Sequence, residues 1–216
     1  MNEKIARVIA GLTADGHLQL DKRRGVISFY SKNHDEIDSF NTLFFELFGK
    51  KGNVFSDNRS GNLRYKLFIA SRCIALKLSK MGVPTGNKTN CVFLIPHCVR
   101  TGNSTTKAAY LQMLFDCEGS IFLQIDGRWR ITYGMHKRAS LISNGLRFFE
   151  EIKSLLNEFQ VDTSKTHLSE GNLRKDGTKS VALKFDIKKS SFPNFSHFVS
   201  FGNPTKREKL HIALNR

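Results

Sequence analysis

Two short stretches of this 216-residue chain share one pattern and lie half a chain apart. Val8-Ile9-Ala10-Gly11-Leu12-Thr13-Ala14-Asp15-Gly16 is near the start, and Leu111-Gln112-Met113-Leu114-Phe115-Asp116-Cys117-Glu118-Gly119 is just past the middle. Each is an apolar, helix-compatible run closed by an acid and a glycine. Asp15 and Glu118 stand 103 residues apart. A period of half the chain marks a duplicated unit, and a duplicated acid in a basic protein points to one shared metal site.

The order of elements after each motif repeats as well. In the first half, strands are expected over 17–21 and 26–31, turning at Lys22-Arg23-Arg24-Gly25. A helix follows, with Ile37, Phe40, Phe44, Leu47 and Phe48 at helical spacing and Gly49 to end it. Strands over 53–56 and 63–69 then flank Asn58-Arg59-Ser60-Gly61, and a helix over 73–81 stops at Gly82 and Pro84. The second half gives strands over 120–126 and 128–134, a helix over 140–159, strands over 167–171 and 180–188, and helices near 195–201 and 205–214.

Offsets support this pairing. Lys32 to Lys137, Ile37 to Ile142, Phe44 to Phe149 and Leu47 to Ile152 are each a step of 105, whereas Ile69 to Ile187 and Lys88 to Lys206 are each a step of 118. One insertion of 13 residues between Phe159 and Ser180, where Lys175-Asp176-Gly177 reads as a loop, accounts for both. The fold class is therefore α+β: two pseudo-symmetric αββαββα repeats, residues 1–102 and 103–216, with antiparallel sheets covering helices on one side.

Charge identifies the kind of partner. The formal net charge is +15. Residues 1–100 hold 16 Lys and Arg against 8 Asp and Glu, and the remainder holds 18 against 11. Two basic bodies, rather than one basic tail, imply a polyanion contacted by both halves, nucleic acid first. No segment approaches 18 consecutive apolar residues, and the N-terminus lacks a basic region followed by a long apolar one, so a soluble, unexported protein of the cytoplasm or an organelle is expected. Cys73, Cys91, Cys98 and Cys117 form no CxxC pair, and His97 beside Cys98 lacks further zinc ligands, so buried, reduced thiols are expected.

These features together resemble the LAGLIDADG homing endonucleases, in the monomeric form that carries two motifs in one chain. The second motif keeps Asp116 and the terminal Glu118-Gly119. The first aligns without a gap and keeps Asp15-Gly16, with Thr13 where the family often has an acid and Gly11 one place past the usual glycine. The resemblance covers nearly all of the chain. It implies a saddle of antiparallel sheets over double-stranded DNA and two motif helices side by side at an internal pseudo-dyad. Asp15 and Glu118 would meet at the bottom of the groove. Paired carboxylates repel unless cations bind between them, which suits a hard ion such as Mg²⁺. The resemblance adds the backbone carbonyls of Ala14 and Cys117 as ligands, Mn²⁺ as a substitute and Ca²⁺ as a support for binding only. It also carries to Lys88 and Lys206 a place beside the scissile phosphates. Ser31 and His136, at the ends of the second strands, complete a polar ring with Lys32 and Lys137.

Candidate DNA contacts follow from the strand pattern. Arg64 and Lys66 alternate with Tyr65 and Leu67; Arg128 and Arg130 alternate with Trp129 and Ile131; Lys184 shares a face with Ser180 and Ala182. Two-stranded ribbons fit the major groove, where arginine reads guanine. Lys22, Arg23, Arg24, Arg59, Arg174 and Lys175 at loop tips are expected on phosphates, with Lys32, Lys137 and Arg138 near the strand ends. The activity expected is a metal-dependent double-strand break leaving short 3′ overhangs. An intron RNA maturase and a non-catalytic DNA-binding protein are the alternatives. The absence of flanking splicing segments suggests an intron-encoded or freestanding enzyme.

Overall fold

Asparagine starts four of the helices. The side chains of Asn2, Asn33, Asn103 and Asn203 each accept a backbone N–H from the first helical turn, at 2.9–3.0 Å. These caps place α1 (Glu3–Thr13), α2 (His34–Phe48), α5 (Ser104–Glu118) and α8 (Pro204–Leu214). The computed structural model describes residues 2–58, 63–173 and 177–215. Gly49, at φ +65°, stops α2 in the left-handed conformation that the sequence signal requires.

Between these helices lie β1 (Gly16–Leu20), β2 (Gly25–Ser31), β3 (Asn53–Asp57), β4 (Arg64–Ala70) and α3 (Arg72–Lys80). A short helix, α4 (His97–Arg100), precedes α5; the sequence pattern gave no sign of it. The second half contains β5 (Gly119–Leu123), β6 (Trp129–Arg138), α6 (Ile142–Glu158), β7 (His167–Leu173), β8 (Lys179–Ile187) and α7 (Phe192–Asn194). A π-helical turn over Phe195–Val199 runs on from α7, where a short helix was expected.

Two four-stranded antiparallel sheets result, ordered β1-β2-β4-β3 and β5-β6-β8-β7, so the halves have one topology. The α+β fold with repeated αββαββα order is as the sequence implied. Each sheet turns one face to helices. Phe29 stacks on Phe40 at 4.1 Å in the first half, while Phe115 is ringed by Tyr133, Phe195 and Phe201 in the second.

The strand ladders correct one offset. Ile27 pairs with Ile69, and Ile131 pairs with Ile187. The step from β2 to β6 is therefore 104, not the 105 read from the helices. A slip of one residue exchanges the faces of a strand. Ser31 thus corresponds to Met135 rather than His136, and Lys32 to His136 rather than Lys137. Lys137 falls on the helix side and is fully buried. It is not on the groove face where a DNA contact was expected. All four cysteines are free as expected, but Cys73 is exposed, and Cys91, Cys98 and Cys117 are only partly buried, where buried thiols were expected. No helix among the described residues is long and apolar enough to cross a membrane.

Candidate functional site

The two motif helices, α1 and α5, form the most extensive helix–helix contact in the molecule. Ala10, Gly11 and Ala14 are buried, as close approach demands. A Cβ on Gly11 would lie 2.8 Å from both Met113 Cε and a ring carbon of Phe40, so glycine permits the seam. The glycine after each acid has a steric cause too. A Cβ on Gly16 would sit 2.5 Å from Leu12 Cα, and one on Gly119 would sit 2.5 Å from the Phe115 carbonyl oxygen. In both motifs the chain folds back over its own last turn, and the acid is left at the bend.

Asp15 and Glu118 sense one another there. Burial pushes the Glu118 carboxyl up to about 7, with the charge of Asp15 as the next cause. Asp15 keeps an open face, yet the protein around it raises its carboxyl as well; Lys88 and a hydrogen bond with Cys117 pull it back. Burial lowers the Lys88 ammonium, and Glu118 and Asp15 oppose that shift. The Cys117 thiol is held well above its usual value by burial and remains protonated. Among the described residues, no three His, Cys, Asp or Glu side chains are grouped to hold a metal. Two hard carboxylates, both raised by burial and one raised further by the other's charge, still fit a dication whose shell is completed by phosphate, water and backbone oxygen, as Mg²⁺ prefers.

A groove of about 820 Å³ runs from this floor over the second sheet. Glu118, Lys88, His136, Arg130, Lys184 and Ala182 line it. Arg130 is held by Asp186 and Gln124, each at 2.9 Å. Arg128 is exposed at the hairpin tip, bound to Asp126 at 2.6 Å. On the first sheet Arg64 and Lys66 lie over the Tyr30 ring, at 5.2 and 5.8 Å. Lys22, Arg23, Arg24, Lys32 and Arg138 are exposed. Arg59, Arg174 and Lys175 lie outside the described residues.

The two candidate lysines differ. Lys206 Nζ donates to the carbonyls of Phe115, Asp116 and Gly119, at 3.1, 2.5 and 2.7 Å. All three of its protons are engaged at the end of α5. Lys88 starts a one-turn 3₁₀ segment, Lys88–Asn90, and has its ammonium beside the acids.

Three residues given no role by the sequence tie the halves together. Asp116 accepts the backbone N–H of Gly202 and Asn203. The Asn203 side chain donates to Glu36, whose other oxygen accepts from Ser31 Oγ. Ser31 thus enters a clasp through Glu36, whose charge is felt at Asp15. Glu36 stands three residues after the cap Asn33, and its side chain turns outward to the other half. His17 also went unremarked. It borders Lys88, and burial with that charge holds its ring below the usual value.

No family model matches the chain. It is 27% identical to the tRNA-splicing ligase RtcB of Pyrococcus furiosus over 97% of its own length and 22% of that protein. It is 26% identical to the replication factor C small subunit of Methanocaldococcus jannaschii (73% of this chain, 9% of that one). It is 25% identical to the RNA polymerase subunit Rpo1N of the same organism (95% and 16%). The chain thus spans about a fifth or less of these relatives. Among solved structures, the homing endonuclease I-DmoI in complex with DNA and Ca has a TM-score of 0.61 at 15% identity, covering 97% of this chain and 96% of that one. The homing endonuclease I-WcaI bound to its DNA recognition sequence has a TM-score of 0.58 at 13% identity, covering 96% and 85%. At these identities the likeness is one of fold.

Proposed function

We propose that this chain is a site-specific, divalent-metal-dependent DNA endonuclease that cuts both strands and leaves short 3′ overhangs. One observation carries the reading: two acids at matching helix ends share a floor between two basic sheets of one topology. Residues 1–102 and 103–216 each take half of the target duplex, within one monomer. Asp15 and Glu118, with the carbonyls of Ala14 and Cys117, are the residues to hold Mg²⁺ or Mn²⁺. The bound ion supplies an activated water and neutralises charge at phosphorus and the leaving 3′ oxygen. Lys88 adds a fixed positive charge beside that position. His136 lines the same groove as Glu118 and Lys88.

The relatives support this reading indirectly. A ligase, a replication factor and a polymerase subunit have no common reaction, yet each contains a segment like this chain. A mobile insert carried by unrelated genes accounts for that, and a site-specific nuclease is the activity such an insert needs. In these relatives the matching segment is a small share of a longer protein, so an in-frame insert is an origin to set beside the intron-encoded or freestanding one. Cleavage selection from a random duplex library with Mg²⁺ tests the proposal. Cut fragments that share one sequence and carry short 3′ overhangs are expected. An uncut library, with tighter binding to structured intron RNA than to duplex, would establish the maturase alternative instead.

A further inference from the structure

We propose that Lys137 is a positioning residue, an internal strut that fixes the backbone from which Lys88 reaches the paired acids. The inference rests on the endonuclease reading for its kinetic consequence, though not for its structural one.

Lys137 lies fully buried on the helix side of β6. Its Nζ donates to the carbonyl of Lys88 at 3.0 Å and to that of Cys91 at 2.6 Å. It also stands 3.9 Å from the centre of the Phe93 ring. Room for its stem comes from a missing side chain, since a Cβ on Gly145 would lie 2.9 Å from Lys137 Cγ. The ammonium is thus enclosed by two carbonyls and an aromatic face, with its stem in the gap left by a glycine. An apolar residue of similar length would fill this space without desolvating a charge. The segment it holds explains why a charge is used. Residues 88–90 form a single 3₁₀ turn, closed by one backbone bond from Asn90 N–H to the Asn87 carbonyl and by the Asn87 side chain. Such a turn has little stability of its own.

The segment beyond is fastened to α6. Asn144 exchanges two hydrogen bonds with the backbone of Phe93, and Glu151 accepts the N–H of Ile95. Lys137 extends that anchorage back by several residues to Lys88 itself. The other half needs no counterpart. Lys206 sits in the first turn of an eleven-residue helix already capped by Asn203. The strand step of 104 pairs Lys137 with Asn33, which caps α2 instead.

The test uses the full chain with Lys137→Met, Phe93→Leu, Lys88→Ala and the double variant Lys137→Met/Lys88→Ala. Amide hydrogen exchange is read first. Faster exchange of the 87–91 segment in Lys137→Met, with the sheets unchanged, is expected. Unchanged exchange there overturns the inference whether or not the wild type cuts DNA. Single-turnover cleavage with each strand labelled is read second. Lys137→Met should slow the strand that depends on Lys88 by roughly 10–100-fold, as a small displacement of a catalytic group does. Its affinity for the site in Ca²⁺ should stay within about twofold, a change far below one lost phosphate contact. The double variant should be no slower than Lys88→Ala, because a strut has no effect once its load is gone. Independent, multiplying losses or equal slowing of both strands would reduce Lys137 to a packing residue. If Lys137→Met fails to fold, Phe93→Leu, which removes only the ring face, carries the same expectations at smaller size. A wild type that cuts no duplex defeats the endonuclease reading and leaves the exchange result to decide the strut.

Discussion

On the groove face of the first sheet Lys66 rests on rings, 5.8 Å from the centre of Tyr30 and 5.4 Å from that of Phe68. On the second sheet the arginines are tied to acids, Arg130 to Asp186 and Arg128 to Asp126. The candidate lysines differ as well. Both place positive charge near Asp15 and Glu118, but Lys206 also spends its protons on the carbonyls at the end of α5. Duplication produced one topology twice, and the side chains then diverged. A ring leaves a cation's full charge facing outward; a carboxylate cancels the charge and fixes the direction. On the proposed endonuclease reading, a cation over a ring suits phosphate, and an arginine held by an acid suits base reading, where orientation matters.

The largest expected effect tests what the halves still share. Asp15→Asn and Glu118→Gln should each abolish double-strand cleavage in Mg²⁺ while leaving affinity in Ca²⁺ unchanged, since each acid serves a common site. Full cutting by either variant would show that the two acids are not one site. Next is the lysine pair. Lys88→Ala should cost roughly 10²–10³ in the rate on one strand, so that nicked DNA accumulates. Lys206→Ala leaves three helix-end carbonyls without their charged partner; it should lower the melting temperature by about 5 °C and slow both strands together. Opposite strand biases at equal melting temperature would restore two equivalent lysines and remove the asymmetry.

Much of this was legible in the chain. The duplicated motif, the caps, the hairpins and the acid-glycine ends are local patterns, and local patterns are written in adjacent residues. The face assignment of Lys137 failed for a specific reason. The offset of 105 belongs to the α2 and α6 matches, and it was carried back one residue too far onto strands whose period is two. The clasp of Ser31, Glu36, Asn203 and Asp116 was not legible, because Glu36 and Asn203 are 167 residues apart and meet only after both halves have folded. The carbonyl contacts of Lys206 were hidden similarly. A lysine near a motif end reads alike whether it faces a phosphate or a carbonyl.

Acid titration sharpens the comparison between the two motif ends. A group whose folded pKa is raised supports the fold below its unfolded value and loses that support as pH rises through the folded one. For Glu118 the window runs from its ordinary 4.5 to about 7. With a chelator present, Glu118→Gln should stabilise the protein at pH 8 by about 1–3 kcal/mol and do nothing at pH 4.5, since partial access to water reduces the full effect. Asp15→Asn, at the more open end, should follow the same sign with a smaller gain. Denaturant unfolding at the two pH values measures both. Equal gains would make the two ends electrostatically alike.

The smallest effect lies at the hairpin tips. Asp21 accepts the backbone N–H groups of Arg23 and Arg24, at 2.8 and 2.7 Å, and thereby holds the turn. No ion pair engages the Arg23 side chain among the described residues, so its charge is available to a phosphate. Arg128 occupies the corresponding tip of the second sheet with its guanidinium bound to Asp126 through Nε at 2.9 Å and a terminal nitrogen at 2.6 Å. A neutral pair displaces little condensed counterion. In a salt titration of duplex binding followed by anisotropy, Arg23→Gln should therefore flatten the log–log slope by about 0.9, one phosphate contact's worth. Arg128→Gln should flatten it by less than half of that. Equal flattening would mean that Arg128 leaves Asp126 when DNA arrives, and the two tips would then grip the backbone in the same way despite their different resting partners.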